Sequence, residues 1–331
     1  MKRIGLLGAG TVGSSLAQLI SARPDLDLVI SKALVKDISK KRDGLSASQL
    51  TTAPQEVLDN ADILVEVMGG TSLAAELMLQ SLKSGKAVVT ANKAALAERW
   101  DEFLEFMQAG KLYFEAAVMV GTPAIDIASH SLRGSNPIEL HAILNGTCNY
   151  MLNQLEAGVD YDIALNKAQE LGYAEADPSL DVGGYDAAHK LNILARLLFD
   201  PNISWDSVYK NTSGISHLNP KMMADAIANN GRIRLLGSVY PENGQWKAGV
   251  RTVFLPNEHP MASTASNRNA LYFRGDACGE IIVTGAGAGG AATASGVLAD
   301  IIQAMNNIAG PSPLKKAMKA PKQNIKLLEV V

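Results

Sequence analysis

The chain has 331 residues, of which 47% are hydrophobic, and its formal net charge at pH 7 is −3. This length predicts two domains, and so small a negative charge gives no electrostatic case for binding nucleic acid or an acidic membrane surface. Two cysteines, no leader sequence and no apolar run of roughly 20 residues together predict a cytoplasmic protein that does not enter the membrane.

Strand-like and helical segments alternate in the first part of the chain. The apolar runs RIGLL, LDLVISKALV, DILVEVM, KAVVTA and KLYFEAAV (111–118) are predicted to be buried strands. Helices are predicted from Ser72 to about Ser84 and over 94–109, where Gly110 ends the second one. This alternation is typical of βαβ units and predicts an α/β fold with a doubly wound parallel sheet of the Rossmann type.

After about residue 135 the pattern changes. Helical segments at about 149–157, 161–171 and 185–199 precede four strand-like runs, RIRLLGSVY, WKAGVRTVFL, ALYFRGD and EIIVT, which turn residues separate. Such runs are typical of an antiparallel sheet. We therefore predict a nucleotide-binding domain over 1–134, completed by 285–325, and an α+β substrate domain over 135–284.

A glycine motif follows the first predicted strand. Gly8-Ala9-Gly10-Thr11-Val12-Gly13 matches G-x-G-x-x-G and opens a helix. In this motif the first glycine permits the tight turn, the second lets a pyrophosphate approach, and the third allows the helix to pack closely on the strand. The N–H groups of the helix N-terminus favour the phosphates. The motif predicts a dinucleotide cofactor bound by Gly8, Gly10, Thr11, Val12 and Gly13.

The end of the second strand bears on the choice between NAD and NADP. An acid there favours NAD, whereas a base accommodates the 2′-phosphate of NADP. Asp37 favours the first cofactor, while Lys36 and the cations at 40–42 favour the second. We predict NADP, with Lys36 as a ligand, and keep NAD as the alternative.

A second glycine run, GAGAGG at 285–290, also satisfies G-x-G-x-x-G between a strand and a helix. Only about 40 residues follow it, too few for a second nucleotide-binding fold. Two interpretations stay open: the glycines form a turn that allows close packing, or their backbone lines one side of the same cofactor site.

The stretch LGYAEADPSLDVGGYDAAHKLNILA (171–195) places several acids and one lysine before an apolar helix. Asp186 and Lys190 are four residues apart and share a helix face. An exposed ion pair worth roughly 0.3–0.5 kcal/mol is the simple interpretation. Glycines at 183 and 184, and Glu175 and Asp181 on the loop before them, favour a site instead. There Lys190, oriented by Asp186, protonates the alkoxide formed from an aldehyde, and Glu175 binds the ammonium of an amino-acid substrate.

Residues 171–190 of this stretch resemble the signature of the homoserine dehydrogenase family. TANKAALA (90–97), EAAVMVGTPAI (115–125), NGTCNYML (145–152) and GAGAGG before TASGVLADII match further family motifs in the same order, so the resemblance spans about 4–306. It implies the NAD(P)-dependent interconversion of L-aspartate 4-semialdehyde and L-homoserine, on the path to threonine and methionine. It also implies a homodimer formed through the antiparallel strands.

The resemblance implies roles for single residues of the signature. Lys190 is implied to be the proton donor, Asp186 and Glu175 to bind homoserine, and Asp181 to order the site. Gly172 and Tyr173, in the same signature, are implied to lie at the substrate.

The other matching motifs imply cofactor and cation sites. Asn92 and Lys93 form the "NK" pair, whose lysine is implied to face the nicotinamide, and Gly287 is implied to return to the cofactor. Sodium or potassium is implied to bind Glu115 and the backbone carbonyls of Val118, Val120 and Thr122; oxygen ligands suit such hard cations.

Some positions depart from the family pattern. Met119, Val120 and Thr122 replace residues that are usually glycine or aliphatic, and Cys148 replaces a threonine. The ACT domain of many family members does not fit within 331 residues, so we expect no threonine feedback through one. Two alternatives stay open: a phosphorylating semialdehyde dehydrogenase with Cys148 as nucleophile, and a nucleotide sensor without catalysis. Retention of Lys190 with its acids favours the homoserine enzyme.

Overall fold

The computed structural model describes residues 1–174, 177–322 and 331, and the chain divides into two compact units. The first unit comprises Met1–Asp126 and Gly289–Pro313, and the second comprises Ile127–Ala288 and Leu314–Val331. The predicted domain limits differ from these units at each junction, and the roles assigned to the predicted domains stay predictions.

A six-stranded parallel sheet forms the centre of the first unit. Its strands are β1 (Lys2–Leu7), β2 (Leu28–Leu34), β3 (Leu50–Thr51), β4 (Ile63–Glu66), β5 (Ala87–Thr90) and β6 (Leu112–Tyr113). The spatial order is β3-β2-β1-β4-β5-β6, and every neighbouring pair is parallel. The order reverses between β1 and β4, so the sheet has the predicted doubly wound Rossmann topology, with its ligand crevice expected at the carboxyl ends of the strands.

Helices lie between these strands and after β6. They are α1 (Thr11–Ser21), α2 (Pro54–Asp59), α3 (Leu73–Lys83), α4 (Lys93–Glu98), α5 (Trp100–Gln108), α6 (Ala116–Met119) and α7 (Ala124–Ser129), the last of which contains the division between the units. In α1, Leu16, Ala17 and Ile20 are buried in one core cluster with Ile4 and Ile30 of the sheet.

Two of the predicted elements were wrong in their limits. The strand predicted over 111–118 ends at Tyr113, and α6 begins at Ala116. All four residues of α6 are buried, and a short run that is buried on every side has no periodicity to distinguish strand from helix. The helix predicted over 94–109 is two helices, interrupted at Arg99, whose φ of −117° is not helical.

The second unit contains a five-stranded antiparallel sheet. Its strands are β7 (Pro137–Ile143), β8 (Gly231–Glu242), β9 (Gln245–Pro256), β10 (Arg268–Gly275) and β11 (Gly279–Ala286), in the order β11-β10-β7-β8-β9. Neighbouring strands are all antiparallel, which confirms the predicted sheet. The central strand β7 was not predicted, and β11 extends to Ala286, two residues beyond the predicted run EIIVT and into the glycine run.

The helices of the second unit surround one that is buried along almost its whole length. They are α8 (Gly146–Glu156), α9 (Tyr161–Glu170), α10 (Ser179–Val182), α11 (Tyr185–Leu198), α12 (Trp205–Lys210) and α13 (Pro220–Ala228). In α11 every residue from Asp186 to Leu198 is buried, so this helix places its polar side chains inside the unit.

The last helix, α14 (Gly290–Met305), belongs to the first unit, where Val297 and Ile301 join the core cluster of β1 and α1. At its start, a Cβ on Gly290 would lie 2.6 Å from the Thr11 side chain, so the close packing of α14 on α1 requires glycine there. Among the residues that the structure describes, no helix has the length and apolar character needed to cross a membrane.

Candidate active site

The glycine loop between β1 and α1 has the geometry that the motif predicts. Gly8 has a φ of +100°, and a Cβ there would lie 2.9 Å from the backbone of Met68. A Cβ on Gly13 would lie 2.1 Å from the carbonyl oxygen of Gly8, so helix and loop pack too closely for a side chain. At Gly10 nothing lies within 4 Å of the Cβ position, so this backbone is open to a pyrophosphate. Thr11 and Val12 begin α1, where free N–H groups face the phosphate position.

The carboxylate of Asp37, beyond β2, is already hydrogen bonded. Its Oδ1 accepts from the backbone N–H of Ser39 at 2.9 Å and from the Ser39 hydroxyl at 2.6 Å. These bonds, with smaller contributions from Lys40 and Arg42, hold the pKa of Asp37 below its usual value. Lys36 is exposed beside it. At the end of β2, therefore, Lys36 and the following cations surround Asp37, whose carboxylate is already hydrogen bonded to Ser39.

Asn92 and Lys93 follow β5 at the carboxyl edge of the same sheet. Asn92 is the N-cap of α4: its Oδ1 accepts from the N–H of Ala95 at 3.1 Å, and its Nδ2 donates to the carbonyl of Gly70 at 2.8 Å. Lys93 is the first residue of α4 and is half-buried. The structure thus places this predicted pair next to the turn that follows β4.

Glu115, the predicted cation ligand, lies in a buried acidic pair. Its two carboxylate oxygens accept from the backbone N–H groups of Ile125 (2.9 Å) and Asp126 (2.7 Å), and its own N–H donates to Asp300 Oδ2 at 2.8 Å. Burial raises the pKa of Glu115 to about 7 and raises that of Asp300 well above its usual value.

The three predicted carbonyl ligands lie in α6 and in the turn that follows it. Val118 lies in α6, and Val120 ends it with a φ of +62°, a conformation that is strained for a β-branched residue. The Val120 carbonyl oxygen faces Gly296, 2.7 Å from where a Cβ on that glycine would be, and the Thr122 carbonyl accepts from Ala124 N at 2.7 Å. The donor set is entirely oxygen and includes one carboxylate, which fits a hard monovalent cation.

Lys190 and Asp186 form a buried pair near the start of α11. The ammonium donates to Asp186 Oδ2 at 2.8 Å and to the carbonyl oxygen of Leu144 at 2.8 Å. The side chain of Lys190 is 10% exposed and that of Asp186 is 11% exposed. The simple interpretation, an exposed ion pair, is therefore wrong, because both side chains are largely buried. An ion pair removed from water needs further hydrogen bonds to offset the cost of desolvation.

Asn145, for which no role was predicted, supplies such bonds. Its Nδ2 donates to Asp181 Oδ1 at 2.7 Å and to Asp186 Oδ2 at 2.9 Å, while its Oδ1 caps α8 by accepting from Cys148 N at 2.7 Å. One amide thus gathers two acids and ties them to the end of β7. In the sequence, the one local feature that pointed to Asn145 was its position as a helix-capping residue before Gly146.

The other predicted substrate residues lie on the loop after α9. Gly172 has a φ of +72°, and the carbonyl of Tyr173 accepts from the Thr147 hydroxyl of α8 at 2.6 Å. The Tyr173 ring packs edge-on against Tyr150, with ring centroids 5.2 Å apart. Glu175 lies outside the described residues.

Gly287 has a packing role in the second unit. A Cβ there would lie 1.9 Å from the carbonyl oxygen of Asn267, and one on Gly146 would lie 2.6 Å from the same oxygen. Three backbones therefore meet at this point, which accounts for both glycines without a cofactor. The implied contact of Gly287 with the cofactor stays a prediction.

Cys148 is not placed as a nucleophile. It is fully buried, its thiol donates to the Asp181 carbonyl oxygen at 3.1 Å, and burial, with Asp181 and Asp186 nearby, raises its pKa well above the usual value. A nucleophilic cysteine needs a lowered pKa and access to substrate. This geometry argues against the phosphorylating semialdehyde dehydrogenase.

A parallel sheet in this strand order, with a glycine loop at its reversal point, defines a dinucleotide-binding protein of the Rossmann class. Two family models match the chain: "Homoserine dehydrogenase, NAD binding domain" over residues 8–115 and "Homoserine dehydrogenase" over residues 123–302. The chain belongs to the homoserine dehydrogenase family and is an oxidoreductase with a nicotinamide dinucleotide-binding domain.

Individual relatives agree with this assignment. The homoserine dehydrogenase of Bacillus subtilis is 35% identical over 96% of this chain and 78% of its own length. The crystal structure of a homoserine dehydrogenase from Thiobacillus denitrificans superimposes with a TM-score of 0.85 at 36% identity, covering 92% of this chain and 73% of that one. A hyperthermophilic archaeal homoserine dehydrogenase in complex with NADPH has a TM-score of 0.75 at 27% identity, covering 94% and 99%.

Proposed function

We propose that this chain interconverts L-aspartate 4-semialdehyde and L-homoserine by hydride transfer, with Lys190 as the proton donor and acceptor. The observation that carries the proposal is the buried Lys190–Asp186 pair, linked through Asn145 to Asp181. The reaction serves threonine and methionine biosynthesis in the cytoplasm.

Lys190 handles the proton. A bound reduced nicotinamide supplies the hydride to the aldehyde carbon. The negative charge that then develops on the aldehyde oxygen needs a proton donor, which typically accelerates such a step about 10²–10⁴-fold. An ammonium has three N–H donors, and two of those on Lys190 go to Asp186 and to the Leu144 carbonyl. The third is the one we assign to the substrate oxygen, and in the reverse direction the neutral amine takes the hydroxyl proton back.

The acids select a substrate with an ammonium group. Asp181 and Asp186 are gathered by Asn145 within the same unit, and Glu175 precedes them on the chain. The two carboxylates Asp181 and Asp186, set against one lysine, leave an excess of negative charge, which an α-ammonium neutralises. We assign this ammonium to Asp181 and Glu175, and the reacting oxygen to Lys190 and Asp186, with Gly172 and Tyr173 closing over the substrate.

We propose NADP as the preferred cofactor, bound in the first unit by Gly8–Gly13, Asn92 and Lys93, while the implied contact of Gly287 with it stays a prediction. The Asp37 carboxylate is engaged with Ser39, so it is less available to accept a bond from the 2′-hydroxyl of NAD. Lys36 and its cationic neighbours suit a 2′-phosphate instead. The archaeal relative was solved with NADPH.

We further propose that Glu115 and the carbonyls of Val118, Val120 and Thr122 hold sodium or potassium. Two buried acids with raised pKa values, Glu115 and Asp300, favour the arrival of a positive charge. The cation would order the turn between β6 and α7.

The second unit is proposed to mediate a homodimer. Its edge strand β11 alternates between exposed and half-exposed residues, and Ile282 on this strand is 43% exposed. An exposed edge with apolar side chains favours pairing with another chain. Sedimentation of the wild type and of Ile282→Asp tests this, and a monomeric wild type would contradict it.

The decisive experiment follows reduced-nicotinamide absorbance after L-homoserine is mixed with NADP⁺ or NAD⁺ at alkaline pH, with sodium or potassium present. An increase that disappears in Lys190→Ala supports the reaction and the proton carrier, and the faster cofactor decides the preference. No increase with either cofactor in folded protein would reject the reaction. Retained cofactor binding without turnover in the wild type would favour the nucleotide sensor.

A further inference from the structure

A buried glutamate, Glu66, ends the central strand β4, and the mechanism does not use it. It is 0% exposed and lies in register with Leu7 of β1 on one side and Thr90 of β5 on the other. Burial raises its pKa, and hydrogen bonds from Thr90 and from the backbone of the following turn act against this rise. A carboxyl group is costly to bury here, so its partners indicate what it is for.

One oxygen of Glu66 holds the turn that lies against the dinucleotide loop. Oε1 accepts from the backbone N–H groups of Met68 (2.9 Å) and Gly69 (2.8 Å). The Met68 backbone in turn packs so closely on Gly8 that a Cβ there would lie 2.9 Å from it. Any movement of this turn would therefore displace the backbone against which Gly8 of the glycine loop packs.

The other oxygen reaches the Asn92-Lys93 segment. Oε2 accepts from the Thr90 hydroxyl at 2.6 Å, and the same hydroxyl oxygen accepts from Asn92 N at 3.0 Å. Asn92 closes a ring by donating its Nδ2 to the Gly70 carbonyl at 2.8 Å. A hydroxyl has one proton to give, and Thr90 gives it to Glu66 while accepting from Asn92. Only an acceptor at the Oε2 position completes this ring.

We propose that Glu66 is a positioning residue for the dehydrogenase reaction, which holds the glycine loop and the Asn92-Lys93 segment in one arrangement so that both meet the cofactor together. This rests on the proposed assignment of Gly8–Gly13 and Lys93 to the cofactor. Glu66 touches neither substrate nor reacting atoms and acts through the two segments it joins.

The test compares Glu66→Gln and Thr90→Val with wild type by titrating NADPH and following its fluorescence. Glutamine has a single acceptor oxygen, and with this oxygen on the two N–H groups of Met68 and Gly69 its NH2 group faces Thr90 and cannot accept the hydroxyl proton. The Kd for NADPH is expected to rise roughly tenfold in each variant, as for the loss of one hydrogen bond to a charged group. The double variant should bind about as weakly as either single one, because both remove the same bond.

The matched control is Asp62→Asn, at the opposite end of β4, where Asp62 pairs with Arg3 and is 32% exposed. Its Kd should stay within about twofold of wild type, as expected for a surface ion pair. Thr90→Ser, which keeps the hydroxyl, should bind NADPH like wild type. If Glu66→Gln does not fold, the comparison of Thr90→Ser with Thr90→Val carries the test.

Purely structural and positioning roles give different results. A lowered Tm in Glu66→Gln and Thr90→Val, with Kd for NADPH and KM for homoserine both unchanged, would overturn the proposal. A raised Kd for NADPH that Thr90→Ser does not show supports it. Wild-type protein that binds neither NADPH nor NADH would reject the proposed function itself, and this inference with it.

Discussion

Replacing Asn145 by alanine tests whether one amide organises the proposed substrate site. The change removes the N-cap of α8, which costs about 1 kcal/mol. It also removes two hydrogen bonds to carboxylates, at 2.7 Å to Asp181 and 2.9 Å to Asp186, each worth about 1.5–3 kcal/mol. Water entering the space left by the amide recovers part of this. We therefore expect the free energy of unfolding to fall by about 3 kcal/mol.

The kinetic effect follows from the same contacts. Asp186 Oδ2 accepts from both Asn145 and Lys190, so without the amide the carboxylate that orients the proposed proton donor loses a restraint. The loss of one charged hydrogen bond corresponds to a roughly tenfold to hundredfold fall in kcat/KM for homoserine. Urea unfolding followed by fluorescence, and initial rates of nicotinamide reduction, measure the two effects.

Two further variants separate capping from bridging. Asn219→Ala removes the N-cap of α13, where the side chain accepts from Met222 N at 3.1 Å, and should cost only about 1 kcal/mol with kcat/KM unchanged. Asn145→Ser keeps a capping oxygen but cannot reach both carboxylates, so it should lose activity more than stability. The reasoning would be refuted if Asn145→Ala lost no more stability than Asn219→Ala and kept its kcat/KM within about twofold of wild type.

Three other outcomes are expected. Lys190→Met should abolish turnover and keep cofactor binding, whereas Lys210→Met, which breaks an exposed pair with the same i,i+4 spacing, should change neither; unchanged turnover in Lys190→Met would remove it from the mechanism. The pKa of Glu115 is raised from 4.5 to about 7, so the native state binds more protons than the unfolded state between these values, and stability should fall as pH rises through them. In urea titrations without sodium or potassium Glu115 should contribute about 3 kcal/mol to the fall, and Glu115→Gln should show a smaller fall than wild type, the remainder coming from Asp300, whose pKa is also raised; an equal fall in both proteins would contradict this origin. Iodoacetamide should label the exposed Cys278 in native protein and leave Cys148 and the activity intact, as mass spectrometry and rates will show.

The sequence predicted those parts of the fold that depend on neighbouring residues. The glycine loop was predictable because Gly8 and Gly13 satisfy a local steric requirement, and the Lys190–Asp186 pair because residues four apart share a helix face. The prediction of a strand through 111–118 was wrong, because the point at which this strand ends depends on contacts with distant residues. Glu115 accepts N–H groups of α7 there instead of continuing the sheet.

The missed residues have distant partners. Asn145 lies 36 and 41 residues from the two acids it joins, Glu66 lies 24 residues from Thr90, and Asp300 lies 185 residues from Glu115. No periodicity connects such pairs, because the contact exists only once the sheet order is fixed. The resemblance to a family supplied roles where the residues alone did not, as with Lys93, but it gave no role to these three.

The buried acids of the first unit share one kind of partner. Glu66, Glu115 and Asp300 all accept backbone N–H groups at the turns and helix starts that follow strands, and burial raises the pKa of each. In each case burial disfavours the charged form more than these hydrogen bonds favour it. A carboxylate has two oxygens and about four acceptor positions, so it can hold several N–H groups of a turn at once. Glu66 and Glu115 do this where β4 and β6 end, at the edge where parallel sheets bind their ligands. We infer that they are retained because they fix the shape of that edge before the ligands arrive.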